Sequence, residues 1–235
     1  MKKNIIFIVL IFLTIAYCNK NSSKKNYKFG LDAEKIKVDT TGDGVPDTWG
    51  YYMADPGNFR IIYEEIDKNL DGFSDELIWG GSAVFTPTNR AEKDVVKVHE
   101  ETDTDYDGKV DTLRWLLPNE LIALSQSDTD KDGYFESTEY YNFQKKIVRK
   151  EKDTNRDGKP DIFMWDTRAE IDTNFDLKPG KFLLANSDLE IQEKIKDKNN
   201  FKDLKESDSW LLNQNLIPMK SRSIIGSGYF NVQIK

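Results

Sequence analysis

The sequence predicts a mainly β fold, an antiparallel meander of β-hairpin repeats with acidic loops along one edge and a small mixed segment at the C-terminus. Three observations lead to this prediction. An acidic nine-residue loop recurs along the chain, alternating apolar residues follow each copy, and turn-forming residues separate the copies. Five Trp and ten Tyr residues also favour a β-rich core over a helical bundle.

Five loops share the pattern Asp-x-(Asp/Asn/Thr)-x-Asp-Gly-x-x-(Asp/Glu), and we number its residues as positions 1 to 9. The five first positions are Asp39, Asp67, Asp103, Asp128 and Asp153, separated by 28, 36, 25 and 25 residues. A period in this range is typical of repeat architectures. We call these copies loops one to five.

The register continues beyond the loops into predicted strands. Position 13 is aromatic in every copy, and position 11 is apolar in four of the five. The residues at position 13 are Tyr51, Trp79, Trp115, Tyr140 and Trp165. Alternation directly after a tight loop indicates a half-buried strand. Turn-forming residues at 55–58 (DPGN) and 118–120 (PNE) then predict a return strand before the next loop.

Carboxylate and amide oxygens at positions 1, 3, 5 and 9 predict a calcium site in each loop. Calcium takes six to eight oxygen ligands at about 2.3–2.6 Å, one of them the backbone carbonyl of position 7. Gly at position 6 permits the sharp turn. The predicted ligands are Asp39, Thr41, Asp43, Val45 and Asp47; Asp67, Asn69, Asp71, Phe73 and Asp75; Asp103, Asp105, Asp107, Lys109 and Asp111; Asp128, Asp130, Asp132, Tyr134, Glu136 and Glu139; and Asp153, Asn155, Asp157, Lys159 and Asp161.

The loops depart from the EF-hand pattern at position 12, where an EF-hand has a bidentate Glu. Only loop four keeps an acid there, Glu139. The 25-residue period also leaves no room for two helices around each loop. We therefore expect weak affinity, on the order of 10⁻⁴–10⁻³ M, and we expect calcium rather than magnesium because magnesium demands stricter octahedral geometry.

A sixth, degenerate copy follows loop five. Asp172, Asn174 and Asp176 keep the spacing, but Leu177 replaces the Gly and Gly180 replaces the last acid. We expect this copy to bind calcium weakly or not at all.

The loops resemble the acidic, EF-hand-like calcium repeats of bacterial exported proteins, and are similar to thrombospondin type 3 repeats and to the loops of dockerin. The likeness covers residues 39–176. It implies calcium binding and export, but thrombospondin-type repeats carry further acids and disulfides that this chain lacks. Together with a lipobox-like segment, the Asn, Lys and Ile usage resembles that of a spirochaete lipoprotein.

The N-terminus predicts export and a lipid anchor. Lys2 and Lys3 precede an apolar run at 5–13 that is too short to span a bilayer, which is typical of a signal peptide. Residues 15–18 (IAYC) resemble a lipobox ending at Cys18, although Tyr17 stands where a small residue is usual. The alternative is ordinary cleavage near Ala16 that leaves a free thiol.

These features predict four regions: a signal peptide at 1–17, a lipidated Cys18 with a polar tether at 18–27, a calcium-loop domain at 28–180, and a C-terminal cap at 181–235. In the cap we expect a helical stripe within 189–204, a short helix capped at 207–209, and a final strand at 223–235. A partner-binding appendage is the alternative for this segment.

Composition limits the classes of function that we expect for this chain. The formal net charge of −7 argues against a nucleic-acid partner. The single histidine, His99, is expected on a solvated face, and no nucleophile motif appears, so we do not expect an enzyme. The leading hypothesis is a calcium-stabilised lipoprotein of the outer membrane, facing the periplasm or the cell surface, with a protein or extracellular-matrix partner. The alternatives are a cell-envelope hydrolase on a calcium-stabilised β scaffold and a calcium sensor or buffer.

Overall fold

Every strand in the described chain pairs with the strand that follows it. The structure, a computed structural model, describes residues 34–55, 58–82 and 95–225. These residues form one 13-stranded antiparallel sheet in sequential order, which confirms the predicted meander. The strands are β1 (Glu34–Val38), β2 (Thr48–Asp55), β3 (Asn58–Ile66), β4 (Glu76–Ser82), β5 (Val95–Thr102), β6 (Thr112–Leu116), β7 (Ile122–Ser127), β8 (Ser137–Tyr141), β9 (Ile147–Lys152), β10 (Ile162–Trp165), β11 (Arg168–Ile171), β12 (Lys181–Leu184) and β13 (Lys202–Asp203).

The meander places all the acidic loops at one end of the strands. In a sequential antiparallel sheet, alternate connections lie at the same end. The loops join β1 to β2, β3 to β4, β5 to β6, β7 to β8 and β9 to β10, and the sixth copy joins β11 to β12. Strands β1 and β13 each have one neighbour among the described strands, so the sheet is open rather than closed into a barrel.

The turns at the opposite end agree with the sequence. Strand β2 ends at Asp55 and β3 begins at Asn58, and these two residues pair across the hairpin. The β6–β7 turn is closed by a hydrogen bond from the Leu117 N–H to the Leu121 carbonyl, with Glu120 in the left-handed region at a φ of 60°.

Aromatic side chains form a continuous row across one face of the sheet. Tyr51, Tyr63, Trp79, His99 and Trp115 are successive register partners, with ring centroids 4.8–5.3 Å apart. Each contact lies in the range of favourable offset aromatic packing. The expectation that His99 is solvated is wrong: its side chain is 19% exposed and stacks between two Trp rings. Its position on a strand, opposite the aromatic position 13, explains this burial.

The C-terminal segment covers both faces of the last strands. Helix α1 (Asp188–Lys194) packs Ile191 against Met164, Ala169, Ile171 and Leu183 on one face. On the other face, residues 210–217 pack against Phe163 and Trp165, and the rings of Trp165 and Trp210 meet edge to face at 5.5 Å. The segment also contains 3₁₀ turns at Lys198–Asn200, Glu206–Asp208, Gln214–Leu216 and Met219–Ser221.

The sequence predictions for the C-terminal segment are confirmed only in part. The stripe is formed by Ile191 and Ile195, whereas Leu189 is 74% exposed because, two residues from Ile191 in a helix, it lies on the opposite face. Ser209 caps a single turn, accepting from the Leu212 N–H at 3.1 Å. Residues 223–225 are not in a strand, and the rest of the predicted final strand lies outside the described residues. No helix within the described ranges is long and apolar enough to cross a membrane.

Candidate metal-binding loops

All six loops have the same backbone conformation. Position 4 lies in the left-handed region in each of them, with φ between 59° and 79°. Position 6 is left-handed as well, with φ between 71° and 94°, and it is glycine except at Leu177. Glycine reaches this region without the steric cost that a side chain incurs. The sixth copy therefore keeps the loop geometry despite losing its glycine.

The position 1 carboxylate organises each loop by accepting backbone hydrogen bonds. The Asp103 Oδ1 accepts from the Tyr106 N–H and its Oδ2 from the Gly108 N–H, both at 2.7 Å. Asp67, Asp153 and Asp172 make the same pair of contacts in their own loops. These bonds satisfy N–H groups that a tight loop would otherwise leave unpaired.

The position 9 acid closes loops one to five from the other side, and in four of these loops a threonine at position 2 takes part. In loop three, Asp111 Oδ2 accepts from the Thr104 N–H at 2.9 Å and from its hydroxyl at 2.7 Å. Loops one, four and five repeat this pairing through Thr40, Thr129 and Thr154. This role of threonine was not predicted, although the recurrence of threonine at position 2 in these four loops is visible in the sequence.

Backbone hydrogen bonds link neighbouring loops into a chain. The position 1 N–H of each loop donates to the position 9 carbonyl of the loop before it, at 2.8–2.9 Å in all five cases. The donors are Asp67, Asp103, Asp128, Asp153 and Asp172. Consequently each loop is joined to the next by a backbone hydrogen bond, and we call this junction the shared base of the two loops. A structural change in one loop therefore acts directly on its neighbour.

Loops three and four bring their carboxylates to one point. Ligand atoms of Asp103, Asp105 and Asp111 all lie within 4.8 Å of one another, and so do those of Asp128, Asp130 and Glu136. These residues occupy positions 1, 3 and 9. Two oxygens bound to one ion at 2.3–2.6 Å lie within about 5 Å of each other, so both groups fit a single metal ion.

Some predicted ligands lie outside these two groups. The position 5 carboxylate turns toward the position 7 N–H instead, as in Asp107 to Lys109 at 2.9 Å. The Tyr134 carbonyl accepts from the Glu136 N–H at 3.1 Å. Glu139 lies on β8, where it accepts from the Tyr141 hydroxyl at 3.0 Å and pairs with Lys150 at 3.4 Å. The structure thus directs Glu139 to the sheet surface rather than to loop four.

Loops one, two and five have carboxylates at positions 1, 5 and 9 but a neutral side chain at position 3. That position is Thr41, Asn69 or Asn155. The Asn69 and Asn155 amides donate to the position 5 carboxylate at 2.8 and 3.1 Å. These three loops therefore present a less acidic group than loops three and four do.

Hydrogen bonds and a neighbouring cation lower the pKa of several loop carboxylates. Hydrogen bonds from the N–H groups of Gly44 and Gly42 lower the pKa of the exposed Asp39. Burial tends to raise the pKa of Asp111, but the Lys131 ammonium and Thr104 outweigh it and lower that pKa to about 2. Asp130 and Asp161 are exceptions. Burial and the neighbouring Asp132 charge raise the pKa of Asp130, and burial raises the pKa of Asp161 despite the hydrogen bonds from Thr154.

The predicted lipidation site, Cys18, lies outside the described residues, as do the signal peptide and the tether. Comparison of the chain with known protein families finds no family model that matches. Comparison with characterised proteins finds no significant match.

Proposed function

We propose that this protein binds calcium through its acidic loops, and that the bound calcium fixes the loop end of the sheet. The observation that carries the proposal is the convergence of three carboxylates on one point in loop three and again in loop four. The ligands are all hard oxygen donors, which suit calcium far better than zinc or copper. Calcium is favoured over magnesium because calcium accepts a flexible geometry, whereas magnesium demands a near-octahedral one and dehydrates reluctantly.

Calcium in this protein has a structural role. The five loops carry 17 acidic side chains at positions 1, 3, 5 and 9, and their mutual repulsion opposes the folded loop end. Because the loops share hydrogen-bonded bases, neutralising one loop also supports the strand register of its neighbour. At millimolar calcium, sites of the expected affinity are substantially filled.

The loop end also serves as an interaction surface for a protein or extracellular-matrix partner. Large apolar side chains are exposed on the loops at Val45, Leu70, Phe73, Phe175 and Leu177, with 47–64% of each accessible to solvent. Exposed apolar groups set among charged ones are typical of protein interaction sites. Lipid attachment at Cys18 would hold this surface at the cell envelope, as the lipobox-like segment indicates.

Substitution of Asp105, the exposed position 3 acid of loop three, tests calcium binding directly. We expect Asp105→Ala to lower calcium uptake by one equivalent per chain and leave the fold intact, because Asp105 is partly exposed and makes few structural contacts. Titration calorimetry of the whole chain measures the stoichiometry. Asp203→Ala is the matched control, since its side chain is 93% exposed and lies on β13, outside the loops.

The proposal fails if the wild-type chain shows no heat and no rise in melting temperature on addition of millimolar calcium. It also fails if Asp203→Ala loses as much calcium as Asp105→Ala. Magnesium at the same concentration should give a much smaller stabilisation, because its coordination demands are stricter.

A further inference from the structure

In loops four and five, the side chain at position 4 contacts the loop before it. These side chains belong to Lys131 in loop four and Arg156 in loop five, whose backbones are left-handed with φ of 63° and 61°. Because neighbouring loops share a hydrogen-bonded base, a long side chain at position 4 reaches the preceding carboxylates. Only these two copies carry a cation there.

Lys131 occupies the acidic group of loop three. Its ammonium pairs with Asp111, lies 3.6 Å from Asp105 Oδ2, and donates to the Thr104 hydroxyl at 3.2 Å. Asp105 and Asp111 supply two of the three carboxylates that converge in this loop. A metal ion and the Lys131 ammonium would therefore use the same oxygens.

Arg156 occupies the acidic group of loop four in the same way. Its guanidinium pairs with Asp132 and donates to Asp130 Oδ2 at 3.1 Å, with its centre 6.0 Å from the Tyr134 ring centroid. Asp130 is the position 3 acid of the converging group in that loop. Loops three and four, the two loops with four acids each, are thus the two that receive a cation from the next loop.

We propose that Lys131 and Arg156 are built-in counter-ions that compete with calcium at loops three and four. Each offsets the repulsion of its carboxylate group, and calcium must displace it to bind. Loops three and four consequently bind calcium more weakly than their four acids would suggest, which brings them closer to the three-acid loops. This inference rests on the proposed calcium binding and specifies how two of the sites are tuned.

Replacing Lys131 with an uncharged side chain of similar length tests this competition. We expect Lys131→Met to raise the calcium affinity of one site by about fivefold, the size expected for losing a partly exposed ion pair. Titration calorimetry of the whole chain measures the affinity. Lys145→Met is the matched control, because it removes the same charge on the β8–β9 turn at the opposite end of the sheet.

A second substitution tests whether the gain in calcium affinity arises at loop three. In an Asp105→Ala background, Lys131→Met should no longer raise affinity, because the site that Lys131 occupies has lost a ligand. Arg156→Met provides an independent test in loop four, where Asp130→Ala should abolish its gain in the same way. Urea unfolding of each variant confirms that the fold is retained.

The outcomes separate the two proposals. If the wild-type chain takes up no calcium, both fail. If it takes up calcium but Lys131→Met and Arg156→Met behave as Lys145→Met does, the counter-ion proposal fails and calcium binding stands. A loss of affinity in these variants would also overturn it, since it would show that the cations support the sites.

Discussion

Loop three (residues 103–111) and the sixth copy (residues 172–180) have the same backbone but different chemistry. Asp172 accepts from the Phe175 and Leu177 N–H groups at 2.9 and 2.6 Å, just as Asp103 accepts from the equivalent positions of loop three. Asp176 likewise accepts from the Lys178 N–H at 2.9 Å. The sixth copy, however, has Gly180 where loop three has Asp111.

This comparison separates the residues that shape the loop from those that would hold a metal. The aspartates at positions 1 and 5 are present in both loops, and their hydrogen bonds set the turn even where Leu177 stands in for glycine. The acid at position 9 is present only in loop three, where it belongs to the converging carboxylate group. Positions 1 and 5 are therefore sufficient for the loop conformation, whereas the proposed cation binding additionally requires the acid at position 9.

The largest expected effect comes from removing the position 1 carboxylate. Both Asp103→Ala and Asp172→Ala should lower the free energy of unfolding by about 2–3 kcal/mol in chelator, because each leaves two or more loop N–H groups without their acceptor. Urea unfolding measures this loss. Only Asp103→Ala should also lower calcium stoichiometry. Equal loss of calcium in the two variants would contradict the distinction between shape and binding.

An intermediate effect is expected from supplying the missing acid. Gly180→Asp should give the sixth copy a calcium site, because a Cβ at Gly180 meets nothing within 4 Å and the residue keeps the position 9 backbone bond to Ile171. In millimolar calcium, the stabilisation relative to chelator should increase by about 1 kcal/mol.

Thermal unfolding of Gly180→Asp with and without calcium measures this stabilisation, and Gly180→Ala is the control for side-chain bulk. A variant that binds no more calcium than Gly180→Ala would show that position 9 is not what the sixth copy lacks.

The smallest effect on stability is expected from relieving the left-handed backbone at Leu177, which occupies position 6. Leu177→Gly should stabilise the chain by about 0.5 kcal/mol, since relief of the left-handed strain exceeds the added chain entropy of glycine. The converse change, Gly133→Ala, should destabilise loop four by about 1 kcal/mol, because its φ is 93°. Urea unfolding in chelator measures both. Destabilisation by Leu177→Gly would mean that the Leu177 side chain makes contacts that outweigh its backbone strain.

Much of the fold could be predicted from the sequence because the repeat imposes a register. The alternation at positions 11 and 13 gave the strands, and the turn residues at 55–58 gave the hairpin that the structure contains. The sequential meander followed from the short connections between them. His99 was mistaken for a solvated residue because its burial comes from Trp79 and Trp115 on neighbouring strands, which local polarity does not report.

The contacts between loops could not be predicted from any single loop. Nothing within loop four or loop five alone indicates that Lys131 and Arg156 lie beside Asp111 and Asp130 of the preceding loops. Glu139 looked like a position 12 ligand because the EF-hand pattern assumes a helix there. In a strand, successive side chains alternate between faces, so Glu139 points to the sheet surface and pairs with Lys150.

Anomalous scattering from crystals grown in millimolar calcium tests the central claim most directly, because it locates the ions. We predict calcium peaks about 2.3–2.6 Å from the oxygens at positions 1, 3 and 9 of loops three and four, with further peaks in loops one, two and five and none at the sixth copy. Loops three and four without peaks, or a peak at the sixth copy as strong as theirs, would contradict the account.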